Sequence, residues 1–317
     1  MIAHPAGGYA RTQRGRLVIA FAAVYLLWGS TFLAMRFGIQ TIPPLFMAST
    51  RHLVAGTVLI AWSWRRMTRR PTLAEWRDAA IVGVLLLGAN GTIAWSEQYV
   101  PSGTAALLVA TVPLWMVLID WWRPHGNHPG HRVLLGLGLG FAGLVILVGP
   151  GTLFGHGTVN RAGAAALLLS SLSWAAGSIV AQRQPHSPAP LFALGMQLMC
   201  GGTALFATAT LTGQTARFSF SHVSLVSGLG WGYLVVFGSL LGFTAYAYLL
   251  RSTTAAKAAT YAYVNPVIAV FLGWAFAGEA VSARTIAAAA VIVAGVAIIT
   301  IVRTDVIPTV PEEGIGD

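Results

Sequence analysis

Few side chains in this 317-residue sequence can do polar chemistry away from water, because most of it is long apolar runs. Ionisable groups inside such runs are costly and usually functional. Arg51 lies well inside one, seven residues after Pro44. At about 1.5 Å per helical residue, that is roughly 10 Å from the helix end. Arg51 can pair with Glu97, meet a substrate carboxylate, or snorkel toward water. His52 follows it but points about 100° away around a helix. Glu97 is the one carboxylate placed to reach a cavity, close to the end of its run. Glu75, Asp78, Asp120 and Glu279 fall in loops or at run ends, and the rest in the C-terminal tail. No carboxylate marks the membrane midplane, so the energy source stays open.

Neutral polar groups and aromatics are more numerous. Asn90 and Asn265 put amides near the middle of their runs. Pro113 and Pro266 each remove a backbone donor and free a carbonyl one turn earlier. Such points can bind substrate, act as hinges, or hydrogen-bond helix to helix. Trp28, Trp95, Trp115, Trp174, Tyr246, Tyr261 and Tyr263 can hold flat, amphipathic or cationic compounds by stacking and cation–π contact. Packing and interfacial anchoring are the competing uses.

Other chemistries lack their residues. His125, His128 and His131 are spaced by three, as a helical metal site would need. Pro124, Gly126, Pro129 and Gly130 break any helix there, so a cationic loop is the better reading. The single cysteine, Cys200, has no neighbouring base and no disulfide partner. There is no H-E-x-x-H, no G-x-S-x-G and no P-loop. No metal and no cofactor are expected.

The elements that position these residues follow from composition. The chain is 56% hydrophobic and 9% charged, against about 25% charged in soluble domains. A membrane span needs about 20 apolar residues. Runs of that kind cover 17–35, 45–64, 79–98, 103–122, 132–149, 162–181, 190–211, 226–249, 257–277 and 283–302. All must be helical, since lipid offers the backbone no partners. The basic N-terminus followed by an apolar run is read as an uncleaved first span. With that terminus in the cytoplasm, fourteen of the nineteen Lys and Arg residues fall inside, the direction of the positive-inside rule. The net charge of +10 is thereby assigned to lipid headgroups and topology, with no nucleic-acid partner.

The two halves resemble each other. One offset relates Trp28 to Trp174, Pro44-Leu45-Phe46 to Pro190-Leu191-Phe192, and Thr57 to Thr203. A slightly longer one relates Pro113 to Pro266 and Gly143 to Gly295. Five spans per half is an odd number, so the halves must enter the membrane from opposite sides. Inverted repeats around a midplane site suit alternating access.

Short motifs recur in a specific order: Trp28-Gly29-Ser30-Thr31-Phe32, Pro43-Pro44-Leu45-Phe46 with Arg51, Ser96-Glu97-Gln98, and Pro101-Ser102-Gly103-Thr104. Thr111-Val112-Pro113-Leu114, Tyr261-Ala262-Tyr263-Val264-Asn265-Pro266 and Gly278-Glu279 follow. Over about residues 17–302 this sequence resembles the EamA family of the drug/metabolite transporter superfamily, and its bacterial exporters in particular. The resemblance implies a central cavity built mainly by spans one to four and six to nine.

The expected architecture is therefore an all-α integral membrane protein of ten transmembrane helices, as two inverted five-helix repeats with both termini cytoplasmic. Its parts are a tail (1–16), a first repeat (17–149), an external linker (150–161), a second repeat (162–302) and a disordered C-terminal tail (303–317). The expected function is a secondary transporter of small metabolites or drugs, multi-pass in the cell inner membrane. Its substrates would be amino acids or amphipathic and aromatic compounds, and export is the expected direction. Its partners are a small-molecule substrate and membrane lipid. Proton or counter-substrate coupling is left open, as is a monomer or a dimer. A membrane-embedded lipid-modifying enzyme and a channel are the alternatives.

Overall fold

The computed structural model describes residues 6–65, 67, 69–122, 130–148, 160–184, 189–253 and 258–305. His125 and His128, nearly all of the linker and the tail beyond Asp305 lie outside them. The described residues form helices and turns, with no strand. In chain order the α-helices are α1 (Ala6–Gly38), α2 (Pro44–Trp64), α3 (Leu73–Ser96), α4 (Ser102–Val109), α5 (Val112–Trp122) and α6 (His131–Val148). Then come α7 (Arg161–Arg183), α8 (Pro190–Leu211), α9 (Gln214–Arg217), α10 (Leu225–Tyr233), α11 (Phe243–Ser252), α12 (Tyr261–Ala277) and α13 (Ala283–Asp305).

Among these residues seven stretches are long and apolar enough to cross a membrane: Gly15–Gly38, α2, α3, Ser102–Trp122, α7, α8 and Leu225–Ser252. Shorter apolar helices occupy the places of the fifth, ninth and tenth expected spans. Local chemistry sets the starts. Pro44 opens α2, where the missing N–H costs nothing. Thr72 and Glu75 form a reciprocal capping box on α3. Asn160 Oδ1 accepts the Gly163 N–H at 2.9 Å to cap α7.

Two expected spans depart from a uninterrupted α-helix. The fourth breaks at Ala110 and Thr111 between α4 and α5. Pro113 stands in the first turn of α5, where it lacks only a donor that would have no partner. The eighth passes from α10 through a π-helix (Leu234–Gly242) into α11. A π turn shifts the facing of every later side chain, which a reading at 3.6 residues per turn does not see. Pro266, in contrast, lies within the continuous helix α12.

Small residues bring the helices together, as expected where lipid removes the hydrophobic drive between them. A Cβ on Gly56 of α2 would lie 3.0 Å from the Gly195 carbonyl oxygen of α8. On Gly295 of α13 it would lie 2.7 Å from the Gly136 oxygen of α6. Helices α3 and α8 cross at Gly83 and Gly201, again backbone to backbone. Large apolar side chains such as Trp62, Leu211, Phe271 and Trp274 face outward, which suits a lipid surround.

Candidate functional site

Helix α1 carries Trp28, Thr31, Phe32 and Met35 on one face, the i, i+3, i+4, i+7 stripe of a helix. All four line a partly open cavity between the helices. Helix α2 adds Arg51, α3 adds Asn90 and Ile93, and the α4 end with its break adds Ala106, Val109 and Ala110. The second half of the chain closes it with Trp174, Gly238, Phe243, Tyr261, Ala262, Asn265 and Pro266.

Aromatic rings build one wall. Trp28 meets Trp174 edge-on at 5.3 Å between ring centroids, Phe243 at 5.5 Å and Tyr261 at 5.4 Å. It lies 4.9 Å from Tyr246, tilted. The Trp28 indole N–H donates to the Gly238 carbonyl at 3.2 Å, inside the π-helix. Gly242 of the same stretch has no room for a Cβ beside the indole. The π-helix thus sets the Trp28 ring, and through it the wall.

Polar groups build the other wall. Arg51 is 2% exposed, and its Nη2 donates to Asn90 Oδ1. Arg51 Nε and Asn265 Oδ1 are buried without a hydrogen-bond partner. Glu97 is fully buried, neither of its carboxylate oxygens has a partner, and it does not line the cavity. Arg69 pairs with Glu75 and Arg77 with Asp78, at the other end of α2 and α3. Arg51 therefore meets Asn90, where the sequence offered Glu97. The backbone oxygen of Glu97 accepts from Arg36 Nη1 at 2.7 Å.

Of the sequence-selected residues, Trp28, Arg51, Asn90, Trp174, Tyr261, Asn265 and Pro266 come together at this cavity. Tyr246 stands behind Trp28 and lines a second cavity with Gln184, Gln197 and Arg251. The two cavities share Phe243. Tyr246 is pinned there by a 2.8 Å hydroxyl contact with Ser178. Trp95 packs on Tyr99 and Trp115 on Phe141, away from both cavities. Pro113 lies behind the α4–α5 break, outside the lining. Tyr263 lies in the first turn of α12, and its side chain falls outside the described residues.

Sequence reasoning missed Phe243 and Glu279. Phe243 precedes Tyr246 by three, a helical neighbour on the same face, which was a usable signal. Glu279 follows Gly278, whose φ of 64° ends α12. That turn sends its carboxylate to the N-terminus of α4, where it accepts from Ser102 N and Oγ at 2.8 Å and Gly103 N at 3.1 Å. These donors would otherwise be orphans of the first turn.

A helical membrane protein that encloses an aromatic and polar cavity between two similar halves has the build of a small-molecule transporter. The EamA-like transporter family matches residues 15–149 and, a second time, residues 161–301, and the chain belongs to this family. It is similar to the uncharacterized inner membrane transporter YedA of Escherichia coli, 38% identical over 284 residues, covering 89% of this chain and 90% of that protein. It is also 26% identical over 294 residues to the uncharacterized transporter YoaV of Bacillus subtilis, covering 89% and 95% of the two. One solved crystal structure superposes with a TM-score of 0.63 at 20% identity, over 92% of this chain and 98% of that one.

Proposed function

We propose that this protein is a secondary transporter that exports small metabolites or drugs, amphipathic or aromatic in character, across the inner membrane by alternating access. The observation that carries the reading is that one cavity takes its walls from both family-matched halves, with the repeat-related Trp28 and Trp174 in contact at its centre. The proposed frame is ten spans in two inverted five-helix repeats, both termini cytoplasmic. Several repeat-related helices pack on each other in support of it, α2 on α8 and α6 on α13. The inner membrane placement rests on the Escherichia coli relative, and the export direction on the family resemblance. In this frame Arg51 and Asn90 lie toward the outer side, and Arg251 toward the inner side. The Trp28–Tyr246–Phe243 cluster is then the partition between two half-channels.

Purified protein in liposomes should give saturable flux and counterflow for a transported compound. Linear, non-saturating flux would point to a channel, and chemical turnover of lipid to an enzyme. Reporter fusions at each terminus should both report cytoplasm; a mixed result would remove the ten-span frame.

A further inference from the structure

The cavity carries a charge that nothing in it cancels. Arg51 is the one charged side chain among its described lining residues. Its one recorded hydrogen bond goes to the neutral amide oxygen of Asn90, which orients the guanidinium and leaves its charge intact. Its Nε donor is buried and unpartnered. The nearby buried Glu97 acts on Arg51 through its charge but gives it no hydrogen bond and lies outside the cavity lining, and Glu279 is committed to Ser102 and Gly103. A buried cation whose donors are only partly satisfied is unfavourable, so an anion arriving in the cavity adds a partner that the lining itself does not supply.

The rest of the cavity says what the anion should be attached to. Trp28, Trp174, Phe243 and Tyr261 present an apolar wall of rings set edge to face. That wall and the charge meet at Gly238. Its carbonyl holds the Trp28 indole, and a methyl placed on its Cα would stand 3.5 Å from Arg51 Nη1. A single-ring molecule with its charge on a short arm would reach both. One cation suits one negative charge, since a dianion would leave half its charge uncompensated in a site shielded from water. An ammonium group would find the rings for cation–π contact, but against Arg51 and with no carboxylate in the lining to help.

We infer that the cavity selects aromatic monocarboxylates and rejects the corresponding organic cations. This rests on the transporter reading above and adds the sign of the substrate's charge to it. The test uses three probes of one body on the whole protein: phenylacetate, phenylacetamide and phenethylamine. Calorimetric Kd values in detergent and saturable flux in liposomes are measured separately. The expected order of affinity is phenylacetate, then phenylacetamide, then phenethylamine, with at least about tenfold between the ends. Arg51→Lys should keep the order and Arg51→Gln should abolish it, in preparations that match wild type by size exclusion. If the Gln variant does not fold, the wild-type order decides alone. Absence of phenylacetate binding, or phenethylamine bound as tightly, overturns the inference. Preferred binding of phenylacetate without flux supports the charge selection and removes the transporter reading. Saturable flux that favours phenethylamine does the reverse.

Discussion

Replacing Gly242 with alanine should damage the cavity wall, while the same change at Gly88 should not. A Cβ on Gly242 would overlap Trp28 Nε1, lie 2.8 Å from Trp28 Cδ1 and 3.0 Å from the Phe237 carbonyl oxygen. The backbone oxygen cannot move without disturbing the π-helix, so the indole must. Moving it breaks the hydrogen bond to Gly238 and the edge contacts with Trp174 and Tyr261. Overpacking of a filled interior costs about 1–3 kcal/mol, and a lost hydrogen bond about 0.5–1.5 kcal/mol. The sum is about 1.5–4.5 kcal/mol of destabilisation. Gly88 lies within α3 with nothing within 4 Å of its would-be Cβ. There alanine should gain about 0.5–1 kcal/mol, the usual helical advantage over glycine. The assay is unfolding of detergent-solubilised protein followed by tryptophan emission, with ligand affinity measured on each variant. If Gly242→Ala matches wild type within about 0.5 kcal/mol and keeps its emission spectrum, the glycine is not what seats Trp28.

Three further outcomes follow from particular contacts. Glu279→Ala should destabilise by about 2–4 kcal/mol, because it strands two backbone N–H groups and a hydroxyl at the start of α4; Glu279→Gln should recover part of this, and unfolding midpoints of the pair check it. Tyr246→Phe removes a buried hydroxyl bonded to Ser178 and should cost about 0.5–1.5 kcal/mol; transport should lose tightness, read as faster leak of preloaded substrate from liposomes. Gly295→Val should force α13 from α6, where the Gly136 oxygen and the Gly140 nitrogen both lie 2.7 Å from the new Cβ. It should cost about 1–3 kcal/mol with ligand Kd unchanged, since none of these residues lines the cavity; a Kd change would mean the pair supports the site.

The apolar runs, the two similar halves and the membrane setting were legible in the sequence because each depends on composition over whole segments. A run of about 20 apolar residues has few fates other than a helix in lipid. Seven of the cavity's residues were also legible, because Trp28, Arg51, Asn90, Trp174, Tyr261, Asn265 and Pro266 are costly or unusual residue types inside such runs. What each of them faces was not legible. Arg51 takes Asn90 in place of Glu97 since its rotation on α2 and the crossing of α3 decide which partner is in reach. Trp95 and Trp115 had the same composition argument as Trp28, yet they pack elsewhere. The π-helix that sets Trp28, and the turn at Gly278 that carries Glu279 to α4, are changes of backbone register. Sequence alone therefore determined that the chain is a helical membrane protein built of long apolar runs. Only the packed helices decided which residues share a cavity, because a facing depends on turns and crossings that are fixed by contacts between helices.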